Sequence, residues 1–186
     1  KRAVLQKQRE LRRIQRKIDH RLNWLADAET APLNTVSLVR LPACRVVWMD
    51  DPLRIDGSAD MEAPIRKLDQ SDAEAVVFLG KVGLGISAER LRRAETARYD
   101  GIFLLLDQED LYTGETLRLP ETLCARLRFR GSHREAQPRY QTLLRYIDQH
   151  SLRITGFSRE ITLIDYGVTS DPDKFVTEIC IPVAPE

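Results

Sequence analysis

The hydrophobic period of this chain changes once, at Ala31-Pro32, and the change separates two kinds of structure. Before it, Val4, Leu11, Ile18 and Leu25 recur every seven residues, with Ile14 three beyond Leu11 and Leu22 four beyond Ile18. That spacing lays one apolar stripe along a single long helix. Pro32 stops it, because proline lacks the N–H that a further turn would need. Lys7 and Arg21 stand where a strict heptad would place apolar residues, so the seam is imperfect. A stripe of this length at a chain end needs a cover. The expectation is pairing with a second copy as a short coiled coil, giving a homodimer. The helix is also basic: residues 1–21 hold nine Lys and Arg against Glu10 and Asp19. Trp24 is its only aromatic, a poor pattern for lying on a membrane.

From Asn34 the period shortens to two, the alternation of strands. Thr35–Val39 and Cys44–Met49 read as strands joined at Leu41-Pro42-Ala43. A helix is expected over Asp60–Asp69, and strands over Ala75–Lys81 and Gly101–Asp107. Between these two, Ser87 is placed to cap a short helix running to Arg93. The same order returns later: Glu115–Pro120, Leu123–Phe129, a helix over Ala136–His150, a turn at Gly156, and the strand Glu160–Tyr166. Asp171-Pro172 turns the chain into a last strand from Val176. Strand, Leu-Pro, strand occurs in both halves, so each half reads as one strand–helix–strand–strand unit.

In the last strand Thr177, Ile179, Ile181 and Val183 form the face expected to pack on helices. Val176, Glu178, Cys180 and Pro182 point the other way. A carboxylate placed there is costly unless a cation or hydrogen-bond donor meets it, which makes Glu178 a candidate binding group.

Composition excludes several functions. The chain has 186 residues, 42% hydrophobic and 31% charged, with a net charge of +1. No apolar run reaches the 18 or so residues of a membrane span, and charge rather than an apolar segment follows the first residues. A cytoplasmic protein with reduced thiols is expected. Cys44, Cys124 and Cys180, with three scattered histidines, offer neither a disulfide framework nor a zinc spacing, so no metal or cofactor is expected. The sequence opens in mid-pattern without an initiator Met, and is read as part of a longer chain.

An ordered set of residues carries a family resemblance. Leu119-Pro120-Glu121-Thr122, Phe129-Arg130-Gly131-Ser132, Tyr140–Leu144, Gly156, Glu160 with Asp165-Tyr166, and Val176–Val183 follow one another as in the GyrI-like effector-binding domain. The resemblance runs from about Thr35 to Val183 and is strongest after residue 115. The basic helix in front resembles the dimerisation helix of MerR-family transcription regulators. The resemblance implies an α+β fold: an N-terminal coiled-coil helix over 1–31, then a GyrI-like domain over 34–186. That domain would hold duplicated strand–helix–strand–strand repeats, about 34–107 and 115–183, in one curved antiparallel sheet. A central pocket would take a small-molecule effector, hydrophobic and often cationic. Glu178 would be its anchor, Glu160 a second acid, and Tyr166, Trp48, Tyr99 and Phe103 its aromatics. Cys180 stands where some relatives offer an aromatic. DNA would be contacted through a domain absent from this sequence, and no membrane is involved.

Two other functions compete. Some GyrI-like domains are hydrolases, and a buried glutamate could act as general base. Against an enzyme, no nucleophile, metal spacing or Ser–His–Asp order is evident, and a dimer helix has no purpose in a free-standing hydrolase. A module that sequesters a toxin or partner protein through its sheet is the third, and the opening helix argues against it.

Overall fold

The computed structural model describes residues 2–53, 82–106, 110 and 112–186. The expected helix over Asp60–Asp69 and strand over Ala75–Lys81 lie outside the described residues. The chain divides into two compact units, Lys1–Ala31 and Pro32–Glu186.

The first unit is α1 (Arg2–Thr30). Its end is marked by Ala31 N–H, which still donates to Asp27 O at 3.1 Å, one residue before Pro32 withdraws the next donor. Val4, Leu11, Ile18 and Leu22 of the stripe, with Ile14, are each 45% or more exposed. None of the described helices is long and apolar enough to cross a membrane.

The second unit begins with β1 (Ser37–Leu41), β2 (Cys44–Leu53), β3 (Val82–Gly85), the short α2 (Ala88–Arg92) and β4 (Tyr99–Leu106). Ser87 caps α2 as expected, its hydroxyl accepting from Arg90 N–H at 3.4 Å. Then come β5 (Leu117–Leu119), β6 (Thr122–Arg130), a single 3₁₀ turn over His133–Glu135, and α3 (Gln137–Gln149). β7 (Leu152–Ile154), β8 (Arg159–Ile164) and β9 (Val176–Pro185) complete it.

All strand pairs are antiparallel, and the order is β1-β6-β9-β8-β3-β4-β2-β5, with β7 also on β9. Reversed, this order is the same with β1 exchanged for β5, β2 for β6, β3 for β8 and β4 for β9. The repeat is therefore present, and its centre is the β3–β8 join, where Leu84 pairs with Glu160.

The expected curved sheet is overturned. The strands follow one open path with β1 and β5 at its ends, and among the described residues no pairing joins those ends to close it. Nor are the repeats self-contained, because β1 pairs with β6 and β2 with β5. The reason is local. Only Pro42-Ala43 and Pro120-Glu121 separate the strands at the two corners. Tight hairpin turns need a positive φ at the first of two loop residues, which proline's fixed negative φ forbids.

α3 lays Tyr140, Leu143 and Ile147 into a core with Leu127, Phe129, Ile179, Ile181 and Val183, the face of β9 expected to meet helices. Pro182 occupies a central strand at the one point where its missing N–H does least damage. β8 stops pairing at Cys180 and β7 begins at Val183, so Pro182 lies in the gap.

Gly83 is required by close approach. A Cβ there would stand 2.6 Å from Glu160 O and would also meet the Phe103 ring. Gly83→Ala should lower stability by about 1–3 kcal/mol through overpacking, read as a lower urea midpoint at unchanged slope.

Candidate functional site

β8 brings Ser158, Arg159 and Glu160 to the centre of the sheet, and alternation sends Arg159 to one face and Ser158 and Glu160 to the other. Ser158 ties the centre to the helix layer. Its hydroxyl accepts from Ile86 N–H at 2.9 Å and meets the Tyr140 hydroxyl at 2.9 Å. Glu160 lies between Leu84 of β3 and Ile179 of β9, fully buried at 0% exposure.

A carboxylate in such a place must be hydrogen-bonded. Tyr99 O–H reaches both oxygens, at 2.9 and 3.0 Å, and His133 Nδ1 lies 2.6 Å from Oε1. His133 comes from the 3₁₀ turn, entered through Gly131 at φ +122° and locked by a Ser132–Glu135 capping box. The other imidazole nitrogen, Nε2, meets Thr162 Oγ1 at 3.3 Å. Thr162 in turn meets Thr177 Oγ1 at 3.0 Å, and Thr177 donates to Gly131 O at 2.7 Å. A closed chain of hydrogen bonds thus holds the turn that supplies the histidine.

Burial, then the Glu160 charge, pushes the hydroxyls of both Tyr99 and Tyr140 far above the usual tyrosine range. Both stay neutral across the physiological pH range.

Glu178 is buried on the opposite face but is not a waiting anion. Arg128 Nε, on the neighbouring strand, donates to Glu178 Oε2 at 2.6 Å, and Arg126 Nη1 is 3.9 Å from the same oxygen. Cys180, also buried, donates its thiol to Glu178 Oε1 at 3.5 Å. Burial and the Glu178 charge hold that thiol well above its usual range.

Trp48 and Phe103 pair across β2 and β4. Trp48 is half-buried, lies over Gly85 and Gly101, and donates Nε1–H to Asp50 at 2.8 Å. Phe103 is fully buried. Phe157 joins them, 4.6 Å from Trp48 and 6.2 Å from Phe103 between ring centroids.

Tyr166 is corrected. β8 ends at Ile164, where Asp165 accepts from Gly167, Val168 and Thr169 N–H and turns the chain. Tyr166 is therefore 66% exposed, edge-on to Phe175 at 4.8 Å, and does not share a strand face with Glu160.

Of the expected site residues, Glu160 and Tyr99 come together, Trp48 and Phe103 form a second group, and Glu178 and Cys180 a third. His133, Phe157 and Arg128 were missed. For Arg128 a signal existed: Arg126 and Arg128 alternate against Ala125, Leu127 and Phe129, and so share one face. The S-x-x-E pattern of Ser132–Glu135 marked a helix start, but nothing in it says that His133 turns towards Glu160.

Two mirrored sets of strands thus meet at a buried acid. The family described as the GyrI-like small molecule binding domain matches residues 34–184, and this chain belongs to it. Among solved structures, it resembles the crystal structure of the EcmrR C-terminal domain with a TM-score of 0.62 at 14% identity, covering 82% of this chain and 98% of that one. It also resembles EcmrR in the cryo-EM structure of the EcmrR–DNA complex in EcmrR-RPo, with a TM-score of 0.65 at 16% identity, covering 100% of this chain and 70% of that one. A third similar structure is a crystal structure of an uncharacterized conserved protein from Listeria innocua, with a TM-score of 0.52 at 15% identity, covering 85% of this chain and 98% of that one. At these identities the likeness is one of fold. No curated protein sequence matches the chain.

The tyrosines make a pH prediction. A group whose pKa is raised on folding contributes stability that is complete below its unfolded pKa, about 10 for tyrosine, and lost as pH rises above it. The urea midpoint should therefore fall between about pH 9.5 and 11. Tyr99→Phe should flatten that fall while costing about 1.5–3 kcal/mol at pH 7, the worth of a hydrogen bond to a charged group.

Proposed function

We propose that this chain is the ligand-sensing, dimerising part of a MerR-type transcription regulator. Residues 1–31 form the dimerisation helix and 34–186 the effector-binding domain. The protein works in the cytoplasm, on DNA held by a domain outside this sequence. Family membership and the likeness of fold to EcmrR, one structure of which is a DNA complex, support the reading.

The observation that carries the binding site is Glu160: a fully buried carboxylate at the join of the two repeats, held by a tyrosine and a histidine. The effector is hydrophobic and often cationic. Glu178 is unsuited to anchor it, since Arg128 never gives up its charge. Glu160 is met by a tyrosine hydroxyl and an imidazole rather than by a guanidinium. Tyr99 adds an aromatic face beside the acid, and a cation against it gains about 0.5–2 kcal/mol. Catalysis is not part of the proposal. The Thr162 hydroxyl beside His133 is tied through Thr177 to Gly131 and belongs to the scaffold.

Coupling requires the ligand to bind one dimer state more tightly than another. The exposed stripe of α1 is the surface for that dimer, each copy covering the other's Leu11, Ile14, Ile18 and Leu22.

Calorimetric titration with a panel of lipophilic cations tests the pocket. Wild type should bind at least one at micromolar strength, and Glu160→Gln should weaken it tenfold or more. Binding unchanged in that variant, or no cation bound, would overturn the assignment. Sedimentation tests the helix: wild type should be a dimer, and Leu11→Glu with Ile18→Glu a folded monomer.

A further inference from the structure

The sheet face opposite α3 gathers three arginines around one carboxylate. Arg126 and Arg128 of β6 share Glu178. Arg159 is different. It pairs with Cys180 across β8 and β9, and Cys180 pairs in turn with Arg126, so all three project from one face. Yet the ion pairs among the described residues do not include Arg159. Its Nη1 donates to Cys44 Sγ at 3.6 Å and its Nη2 to Cys124 Sγ at 3.5 Å. Its Nε is buried with no hydrogen-bond partner among the described residues, and the residue as a whole is only 8% exposed.

That arrangement is unbalanced. A guanidinium cannot escape burial by losing its proton, as a lysine or histidine can. Thiol sulfur is a weak acceptor. Burial raises the pKa of both Cys44 and Cys124, with Arg159 pulling the other way, so neither sulfur brings a full negative charge to the guanidinium. The nearest use of such a group is recognition. A planar fork of donors in a dry setting, with its Nε left without a partner among the described residues, matches the oxygens of a carboxylate or phosphate.

We propose that Arg159 anchors an oxyanion-binding site, where a carboxylate or phosphate group accepts the guanidinium hydrogen bonds between Cys44 and Cys124. Cys44 is partly exposed and gives the route in. The site is distinct from Glu160. The two residues are neighbours in β8 and face opposite sides of the sheet, so one strand presents a cation on one side and an anion on the other.

Inorganic phosphate and acetate are the probes, titrated into the dimer at constant ionic strength with chloride as the balancing ion. Wild type should show a saturable rise in melting temperature, about 2–4 °C for a protein of this size. Arg159→Gln should abolish it, and Glu160→Gln should leave it unchanged. A response to phosphate alone points to a phosphoryl ligand, and to acetate alone a carboxylate. A second measurement needs no variant. Cys44 in wild type should react severalfold more slowly with a disulfide reagent once the anion is bound, because the engaged guanidinium no longer favours the thiolate. Should Arg159→Gln fail to fold, this rate decides. No saturable response in wild type, an equal response in Arg159→Gln, or a Cys44 rate that chloride slows as much as phosphate or acetate does, would overturn the site.

Discussion

Pro42 and Pro120 each sit one residue beyond a strand, in a two-residue connection that a hairpin could otherwise close. Their fixed backbone angle excludes the turns that such a hairpin uses. Each repeat's first strand therefore leaves its second and is paired by the other repeat, β1 on β6 and β5 on β2. The rest of the sheet follows from this exchange. The two repeats are bound to each other at both ends of the order as well as at the β3–β8 join, and neither can fold its outer strand alone.

The join is the one place where the repeats meet as equals, and the protein puts a buried acid there. Glu160 is stabilised by groups from four different stretches of chain: Tyr99 directly, His133 directly, and Thr162 and Thr177 through the histidine. The same strand carries Arg159 to the other face, and the next strand carries Glu178, which Arg128 neutralises at 2.6 Å. Buried ion pairs add little net stability, since desolvation offsets their attraction, but removing one partner alone costs about 3–5 kcal/mol. The Arg128–Glu178 pair is best understood as fixing the β6–β9 register, while Glu160 is met by a tyrosine and a histidine rather than by a guanidinium.

Much of this was legible in the sequence. The period change at Pro32, the Ser87 cap, the α3 stripe and the split of β9 into Ile179, Ile181 and Val183 against Glu178 and Cys180 all appear in the structure, because each rests on neighbours within a few residues. Tyr166 failed for a reason equally local: Asp165 bonds three following amides and ends the strand early. The difference between the two acids was not local. Glu178 and Glu160 look alike as strand carboxylates, and only the partners brought by other strands separate them.

The sequence by itself determined the long apolar stripe of the first helix, the strand and helix periods after it, the repeated Leu-Pro corner and hence the family. These depend on backbone geometry and on which side chains recur at 3.6 or 2 residues. Only the tertiary structure decided which acid is paired and by what, that His133 turns towards Glu160, and that Cys44 and Cys124, 80 positions apart, meet at one guanidinium. Burial, charge pairing and desolvation are properties of a place rather than of a residue, and the exchange of strands between repeats sets those places.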